Sequence, residues 1–544
     1  MPNGLGSRDL GDLLERLKAD SGRSYESIGR KTNLSKSTVH RYCTGAAVPR
    51  EFGVLERIAL ACGAGRDDVV RLHRLWLRAT ASPQEVADQD AQHVARPEPI
   101  VAEHVPVWRA RRTRALIAGV LALCLVLVSG SSGQPPADSG HAAPQWVSGP
   151  AWMLPAAAVP STLFGVTINS STGAMPAFRV GAVRFWDGGT RWSELERQRG
   201  EFDWTALDRL VSGAEGQGLP PLFVFGSTPK WASPGGPAGP YPDGTPAPPD
   251  DLANWDAFVR ALVQRYRGRI ESYELWVLGN DRRFYAGSVE KLVEMTRRAS
   301  GVIRSVDPKA TVVCPGMGQL WNHDGIAFFQ RFAELGGYNY CDVAGVKLFQ
   351  KSAADPPETM LELTTTIDKA LHREGIQPRV WSTGTTYTIS LQAPLDDTRA
   401  RNYAVRYYLV GLYARKVNVE RMYFYNWGGT KIPIVLQAVG GAPTNAALAV
   451  EQLERWLNHA QIRSCGHSTP ANLPANVWEC QFTVTESTRT YDATIRWTDT
   501  GAATTTAPPR TQAIRHLDGT TTSTQPGDPI TITEEPVLIE SGRP

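Results

Sequence analysis

The sequence predicts a multidomain chain: an all-α helix-turn-helix bundle, a single transmembrane helix, and a (β/α)8 TIM barrel with a C-terminal β-sandwich. Three observations predict it. Apolar residues recur at helical spacing in five short blocks between Asp9 and Ala79, and a single long uncharged apolar run stands at Ala115–Val128. From Leu163 onward, short β-rich runs alternate with longer amphipathic stretches, as βα units do. At 544 residues the chain is longer than one ordinary domain of roughly 100 to 200 residues. The expected boundaries are 1–80 for the helical head, 81–114 for a linker and 115–133 for the membrane span. A second linker at 134–160, the barrel at 161–460 and the sandwich at 461–544 complete the chain.

Charge is unevenly spread. The net charge is +3, but residues 1–80 hold 14 Lys/Arg against 9 Asp/Glu, a local +5, so a polyanion is expected to bind at the N-terminus. The cysteines at 43, 62, 124, 314, 341, 465 and 480 form no CxxC or Cys/His cluster, and neither a metal nor a cofactor is expected. Cys465 and Cys480 flank a loop-rich segment and are either a disulfide or two buried free thiols.

Within the head, "SYESIGRKT" and "SKSTVHRYCTG" are joined by "NLS", with Ser35 placed to cap the third helix. The stretch "YESIGRKTNLSKSTVHRYCTGAAVP" resembles the Cro/C1-type (XRE-like) DNA-binding domains over roughly residues 7–80, through the small Gly29, the serine cap and the Gly-x-x-x-Pro exit. The resemblance implies that the third helix enters the major groove of DNA and that Lys36, Ser37, Thr38, His40 and Arg41 read bases or grip phosphates. Val39 and Tyr42 should face the bundle. A basic helix used for protein contacts is the alternative.

Arg109, Arg111, Arg112 and Arg114 stand before the apolar run, and no Lys or Arg follows it until Arg179. A bilayer needs about 20 residues of helix, with about 17 tolerated, and cytoplasmic flanks carry the excess of positive charge. The expectation is a cell-membrane protein with a single pass, a cytoplasmic N-terminus and an extracellular C-terminal part.

Eight strands are expected, at "LFGVTI", "AVRFWD", "LFVFGS", "SYELWVL", "ATVVCPG", "DVAGVKLF", "RVWSTG" and "RMYFYNW". The words "VRFWDGGTRWSELERQRGEFDWTALDRLV", "STPKWAS", "YELW", "WSTGTTY" and "YFYNW", in that order, resemble clan A retaining glycoside hydrolases of the β-xylosidase and endoglucanase kind, over about 161–541.

Retaining glycosidases use two carboxyl groups about 5 to 5.5 Å apart, one as acid/base and one as nucleophile. The resemblance puts these roles at Leu278 and Gly384, which can do neither, so no catalytic residue is expected. Val277 replaces the usual Asn, and Lys347 stands where strand six usually ends near a His. Glu274 is expected in the barrel interior, and Asp187 and Asp281 lie near the rim. What remains is a sugar-holding surface expected from Arg184, Trp186, Trp231, Trp276, Asn280, Lys347, Trp381, Tyr387 and Trp427, with Trp276 and Trp427 foremost. The Pro/Gly-rich segment at Ala232–Asp251 is either a lid or an ordered surface loop.

Together these features predict a membrane-anchored transcriptional regulator whose head binds DNA and whose inactive barrel senses a saccharide or cell-wall fragment, with a homodimer suited to two half-sites. A surface-anchored glycoside hydrolase acting on a polysaccharide and a structural membrane scaffold are the rival readings.

Overall fold

The computed structural model describes residues 6–79, leaving out 33, 50, 51, 66, 67, 69, 70, 73, 74, 77 and 78, and residues 152–543. The chain divides into two units, 1–136 and 137–544.

The first unit contains α1 (Gly6–Asp20), α2 (Tyr25–Thr32), α3 (Lys36–Cys43) and α4 (Phe52–Ala61), followed by helical residues up to Ala79. Leu10, Leu14, Ile28, Val39, Leu55, Ile58 and Leu72 are fully buried and form one core. The α3 start is fixed as its sequence suggests: the Ser35 hydroxyl accepts the Thr38 N–H at 3.1 Å, a cap that satisfies one of the helix's orphan donors. Gly29 cannot carry a side chain, because a Cβ there would sit 2.6 Å from the Leu34 carbonyl oxygen in the α2–α3 turn.

In the second unit, β1 (Trp152–Ala158) precedes a closed barrel of eight parallel strands: β2 (Phe164–Ile168), β3 (Ala182–Phe185), β4 (Pro221–Val224), β5 (Ser272–Glu274), β6 (Thr311–Val313), β7 (Val343–Val346), β8 (Arg379–Ser382) and β9 (Val419–Trp427). All eight fall where the sequence places them. Around it run α5 (Thr205–Gly216), α6 (Leu252–Arg265), α7 (Val289–Val306), α8 (His323–Glu334), α9 (Leu361–Arg373), α10 (Asp397–Tyr413) and α11 (Asn445–Trp456). Strand alternation sorts the side chains. Val183, Phe185, Phe223 and Tyr273 join the core that also holds buried helix residues, whereas Ala182, Leu222, Val313, Val343, Trp381 and Tyr423 form a separate apolar layer.

The chain then forms β10 (Ala460–His467), β11 (Val477–Thr485), β12 (Thr490–Thr498), β13 (Ala503–Thr506), β14 (Thr511–Arg515), β15 (Thr521–Ser523), β16 (Pro529–Ile532) and β17 (Val537–Gly542). They make a seven-stranded sheet in the order β1-β10-β11-β12-β17-β14-β15, with β13 and β16 as a separate two-stranded ladder. The sequence, rich in Pro, Ser, Gly and Ala here, places β1 in the linker expected at 134–160. Pro155 is tolerated because β1 is an edge strand whose register breaks between Met153 and Ala157. Disulfides join Cys465 to Cys480 across β10 and β11, and Cys314 to Cys341.

The membrane assignment requires correction. Among the described residues no helix is long and apolar enough to cross a membrane, and the span expected at 115–133 lies outside the described residues, as do the two linkers over most of their length. The single-pass topology and the cell-membrane location are therefore withdrawn.

Candidate functional site

The barrel's chemistry begins one layer above the apolar floor. Arg184 on β3 and Glu274 on β5 face inward by the same alternation that sends Val183 and Tyr273 outward. Glu274 accepts Arg184 Nε at 2.8 Å on Oε2, and Lys347 Nζ at 2.7 Å and the Thr383 hydroxyl at 2.9 Å on Oε1. Lys347 also donates to the Thr383 carbonyl at 2.8 Å. Burial alone would raise the Glu274 carboxyl, but the Arg184 and Lys347 charges outweigh it and hold it below the usual range. Burial and the Arg184 charge pull the Lys347 ammonium down to about 7, against the upward pull of Glu274. Glu274 is thus an interior counter-ion, each of its oxygens held by a cationic side chain.

Above this layer a cleft opens, lined by Arg184, Trp186, Tyr241, Leu278, Phe284, Lys347, Thr383, Thr385, Tyr387 and Tyr425, among others. Trp186 donates its indole N–H to Tyr241 at 3.1 Å, and Tyr241 donates to Asp187 at 3.1 Å. Tyr241 comes from the Pro/Gly-rich segment, which is ordered: the Arg191 guanidinium stacks 4.0 Å from the Tyr241 ring and pairs with Asp243 at 3.2 Å. Burial pushes the Asp187 carboxyl above its usual value, opposed by Tyr425, Arg184 and Tyr241.

The positions of the two catalytic carboxylates expected by resemblance are apolar. Leu278 lies at the cleft wall with φ +44°, packed so tightly on Gly318 that a Cβ there would fall 2.2 Å from its Cδ2. Gly384 has φ +109°, and a Cβ built on it would meet nothing nearer than Thr167 Oγ1 and the Tyr423 carbonyl at 3.9 Å and Arg184 Nη1 at 4.0 Å. Asp281 is no free acid, since Arg283 pairs with it at 2.6 Å and the Gln319 amide donates to it at 2.8 Å.

Of the expected sugar-holding residues, Arg184, Trp186, Lys347 and Tyr387 meet in this cleft. The others do not. Trp276 and Trp427 are 0% and 1% exposed, with indole N–H groups bonded to the Phe284 carbonyl at 2.9 Å and Gln437 at 2.8 Å. Trp381 belongs to the apolar floor under the Arg421 guanidinium, 3.9 Å from its ring, and Trp231 donates to the Glu196 carbonyl at 2.8 Å. Asn280 braces the adjoining loop, donating to the Gly325 carbonyl at 3.0 Å and accepting Gly318 N–H at 2.6 Å, on the wall of a different depression. Sequence reasoning missed Tyr241, Phe284, Thr383 and Tyr425. Thr383 and Tyr425 sit in quoted strand-end words, "WSTGTTY" and "YFYNW", and Tyr241 is the only aromatic in its segment.

In the first unit, Lys36, Ser37, His40, Arg41 and Thr44 are exposed at helical spacing, whereas Val39 is buried. Thr38 is half-buried, and its hydroxyl lies 2.7 Å from the Ser35 hydroxyl, so it belongs to the cap. His40 packs edge-on to Tyr25, ring centroids 5.0 Å apart.

Comparison with known proteins agrees with both units. Residues 9–73 match the family model described as a helix-turn-helix domain. A β-xylosidase from Geobacillus stearothermophilus is 28% identical over 223 residues, 36% of this chain and 43% of that protein, so the chain spans less than half the length of this curated relative. A family 39 glycoside hydrolase from the gut symbiont Bacteroides cellulosilyticus WH2 superposes with a TM-score of 0.53 at 16% identity, covering 71% of this chain and 81% of that one. A glucosidase from Croceicoccus marinus gives 0.50 at 14% identity, covering 70% and 96%. The chain carries an N-terminal helix-turn-helix domain and a barrel with the fold of family 39 glycoside hydrolases.

Proposed function

We propose that this chain is a transcriptional regulator that binds DNA through its N-terminal unit and holds a saccharide in its barrel without cleaving it. The observation that carries the reading is the contrast within one cleft. Aromatic and polar groups suited to a sugar line it, while a leucine and a glycine stand where the resemblance calls for carboxylates. A sensor must keep its ligand, and a site lacking both acid and nucleophile does so. The exposed face of Lys36, Ser37, His40 and Arg41 supplies the cationic and polar groups that a recognition helix presents to DNA.

The test is footprinting of the full chain on genomic fragments, alone and with saccharides, beside a reducing-end assay of the same sample. Salt-sensitive protection altered by a sugar that remains intact is the expected outcome. Absence of salt-sensitive DNA binding removes the regulatory half; turnover of the sugar removes the sensory half.

The second reading, a glycoside hydrolase, has Asp187 in its favour, since a carboxyl with a raised pKa beside the cleft suits a general acid. Against it, Glu274 and Asp281 are both held in ion pairs, which leaves Asp187 without a free carboxylate partner among these three. Hydrolysis of aryl glycosides that disappears in Asp187→Asn would establish it.

A further inference from the structure

The cleft is nearly shut. Of the residues that line it, Arg184, Trp186, Leu278, Phe284, Lys347 and Thr383 are each at most 5% exposed, whereas Tyr387 is 36% exposed and so marks the mouth. Tyr387 follows β8. Its ring lies edge-on to Phe284, 6.0 Å between centroids, and 5.4 Å from the Arg283 guanidinium, and both of these partners follow β5. In the barrel β6 and β7 stand between β5 and β8, so this contact crosses the mouth. The β5 side is braced: hydrogen bonds of 2.9 and 2.6 Å fix Arg283 to Asp281, and Phe284 packs on Tyr241 with 6.2 Å between centroids.

The β8 side is held only at its ends. Just before residues 384–392 the Thr383 hydroxyl donates to Glu274 at 2.9 Å, and at their far end Gln392 accepts the Ala353 N–H at 2.8 Å. Between these ties, among the described residues, every hydrogen bond of residues 385–391 stays within the segment, and the Thr385 hydroxyl is buried without a partner. Gly384 opens the segment at φ +109°, and a residue without a Cβ readily absorbs the backbone rotation of a hinge. Behind the segment lies a second, largely apolar pocket, lined by Leu348, Ile389, Phe424, Pro433 and Ile434, among others. Thr385 and Ser390 line both spaces, so the segment is the partition between them.

We infer that residues 384–392 are a flap over the cleft: it turns at Gly384, swings toward the apolar pocket to admit a ligand, and is latched shut by Tyr387 against Phe284 and Arg283. One edge-on ring pair and one exposed cation–π contact make a latch that favours the closed form yet opens on thermal fluctuation. Closing over a bound molecule is a change of shape that depends on occupancy, which is what a sensor requires. That use of the flap rests on the saccharide-binding reading; the flap itself does not.

The test is cysteine accessibility in the full chain. Val277→Cys places a thiol on the buried cleft wall, and its modification by methyl methanethiosulfonate is followed by peptide mass spectrometry, which separates it from Cys43 and Cys62. Adding Tyr387→Ala, which removes both latch contacts, should speed labelling at residue 277 by about fivefold or more. Adding Leu391→Ala, at an exposed leucine outside the latch, should leave the rate unchanged. Equal labelling with and without Tyr387 overturns the flap. Should Val277→Cys misfold, hydrogen exchange decides: Arg283→Ala, on the opposite side of the mouth, should speed exchange of the 386–391 amides by about two- to fivefold and leave α10 unchanged. Equal exchange at 386–391 overturns the flap in the same way. No sugar enters either assay, so failure here leaves saccharide binding standing, and failure of every sugar to bind leaves the flap standing.

Discussion

Arg184 and Glu274, ninety positions apart in the chain, meet inside the barrel with Nε 2.8 Å from Oε2, and neither reaches solvent to any useful extent. The pair is the keystone of a layer that also fixes Lys347 and Thr383. Buried ion pairs add little net stability, yet removing one partner costs about 3–5 kcal/mol because the other charge is stranded. Glu274→Gln should therefore lower the unfolding free energy of the second unit by about that amount, measured in urea titrations followed by tryptophan fluorescence.

Restoring the two carboxylates should not restore hydrolysis. Leu278→Glu with Gly384→Glu places acids on backbones with φ +44° and +109°. At 384 a non-glycine residue costs about 1–3 kcal/mol, a kind of strain that Leu278 already carries at 278, and loss of positioning adds to it. Release of nitrophenol from aryl xylosides and glucosides by the double variant should stay at the level of the parent protein.

Stability should fall with pH across the range between 4.5 and about 7 on account of Glu454. Its side chain is 4% exposed, and burial raises its pKa from 4.5 to about 7, opposed by Arg179 at 3.1 Å. The sign follows from proton counting: between those values the unfolded chain has lost the proton that the folded protein keeps, so ionisation drains stability as pH rises. Glu454→Gln escapes this. It should match the wild type near pH 4 and exceed it by up to roughly 3 kcal/mol at pH 8, the shift from 4.5 to about 7 already containing the pairing with Arg179. Thermal melts at the two pH values check it.

In the first unit, Ser35→Ala should lower stability by about 0.5–2 kcal/mol through loss of the α3 cap. Arg41→Ala should leave stability unchanged while weakening DNA binding, and if Arg41 meets a phosphate the salt slope should fall by about 1. Circular dichroism melts and filter binding at several salt concentrations separate the two.

Much of this architecture was legible in the sequence. Eight β-rich runs gave the barrel strands, since inward and outward faces alternate with a period that a hydrophobic pattern reports directly. The assignment of Glu274 to the interior follows from the same period. Faces beyond the strand ends were not legible. Alternation would turn Trp276 inward two residues after Glu274, but the β5 ladder stops at Glu274 and the tryptophan packs behind the wall, ring centroids 5.9 Å from Trp255. Trp427 follows a register shift after Phe424, which frees it from the strand's parity. Arg184, Trp186, Lys347 and Tyr387 do line the cleft, and the first three are at or just beyond their strand ends. The Cys314–Cys341 disulfide joins residues 27 positions apart with no local motif, so only the neighbouring of β6 and β7 brings it to view.

Strand β1 pairs only with β10, its first residue opposite Cys465, whose disulfide to Cys480 ties β10 to β11. The polypeptide therefore enters the barrel and leaves it through adjacent, hydrogen-bonded strands, and the leaving strand is stapled to the next. A mechanical load applied upstream of residue 152 is taken first by the β1–β10 ladder before it can reach β2, so the cleft is buffered from tension in the preceding chain.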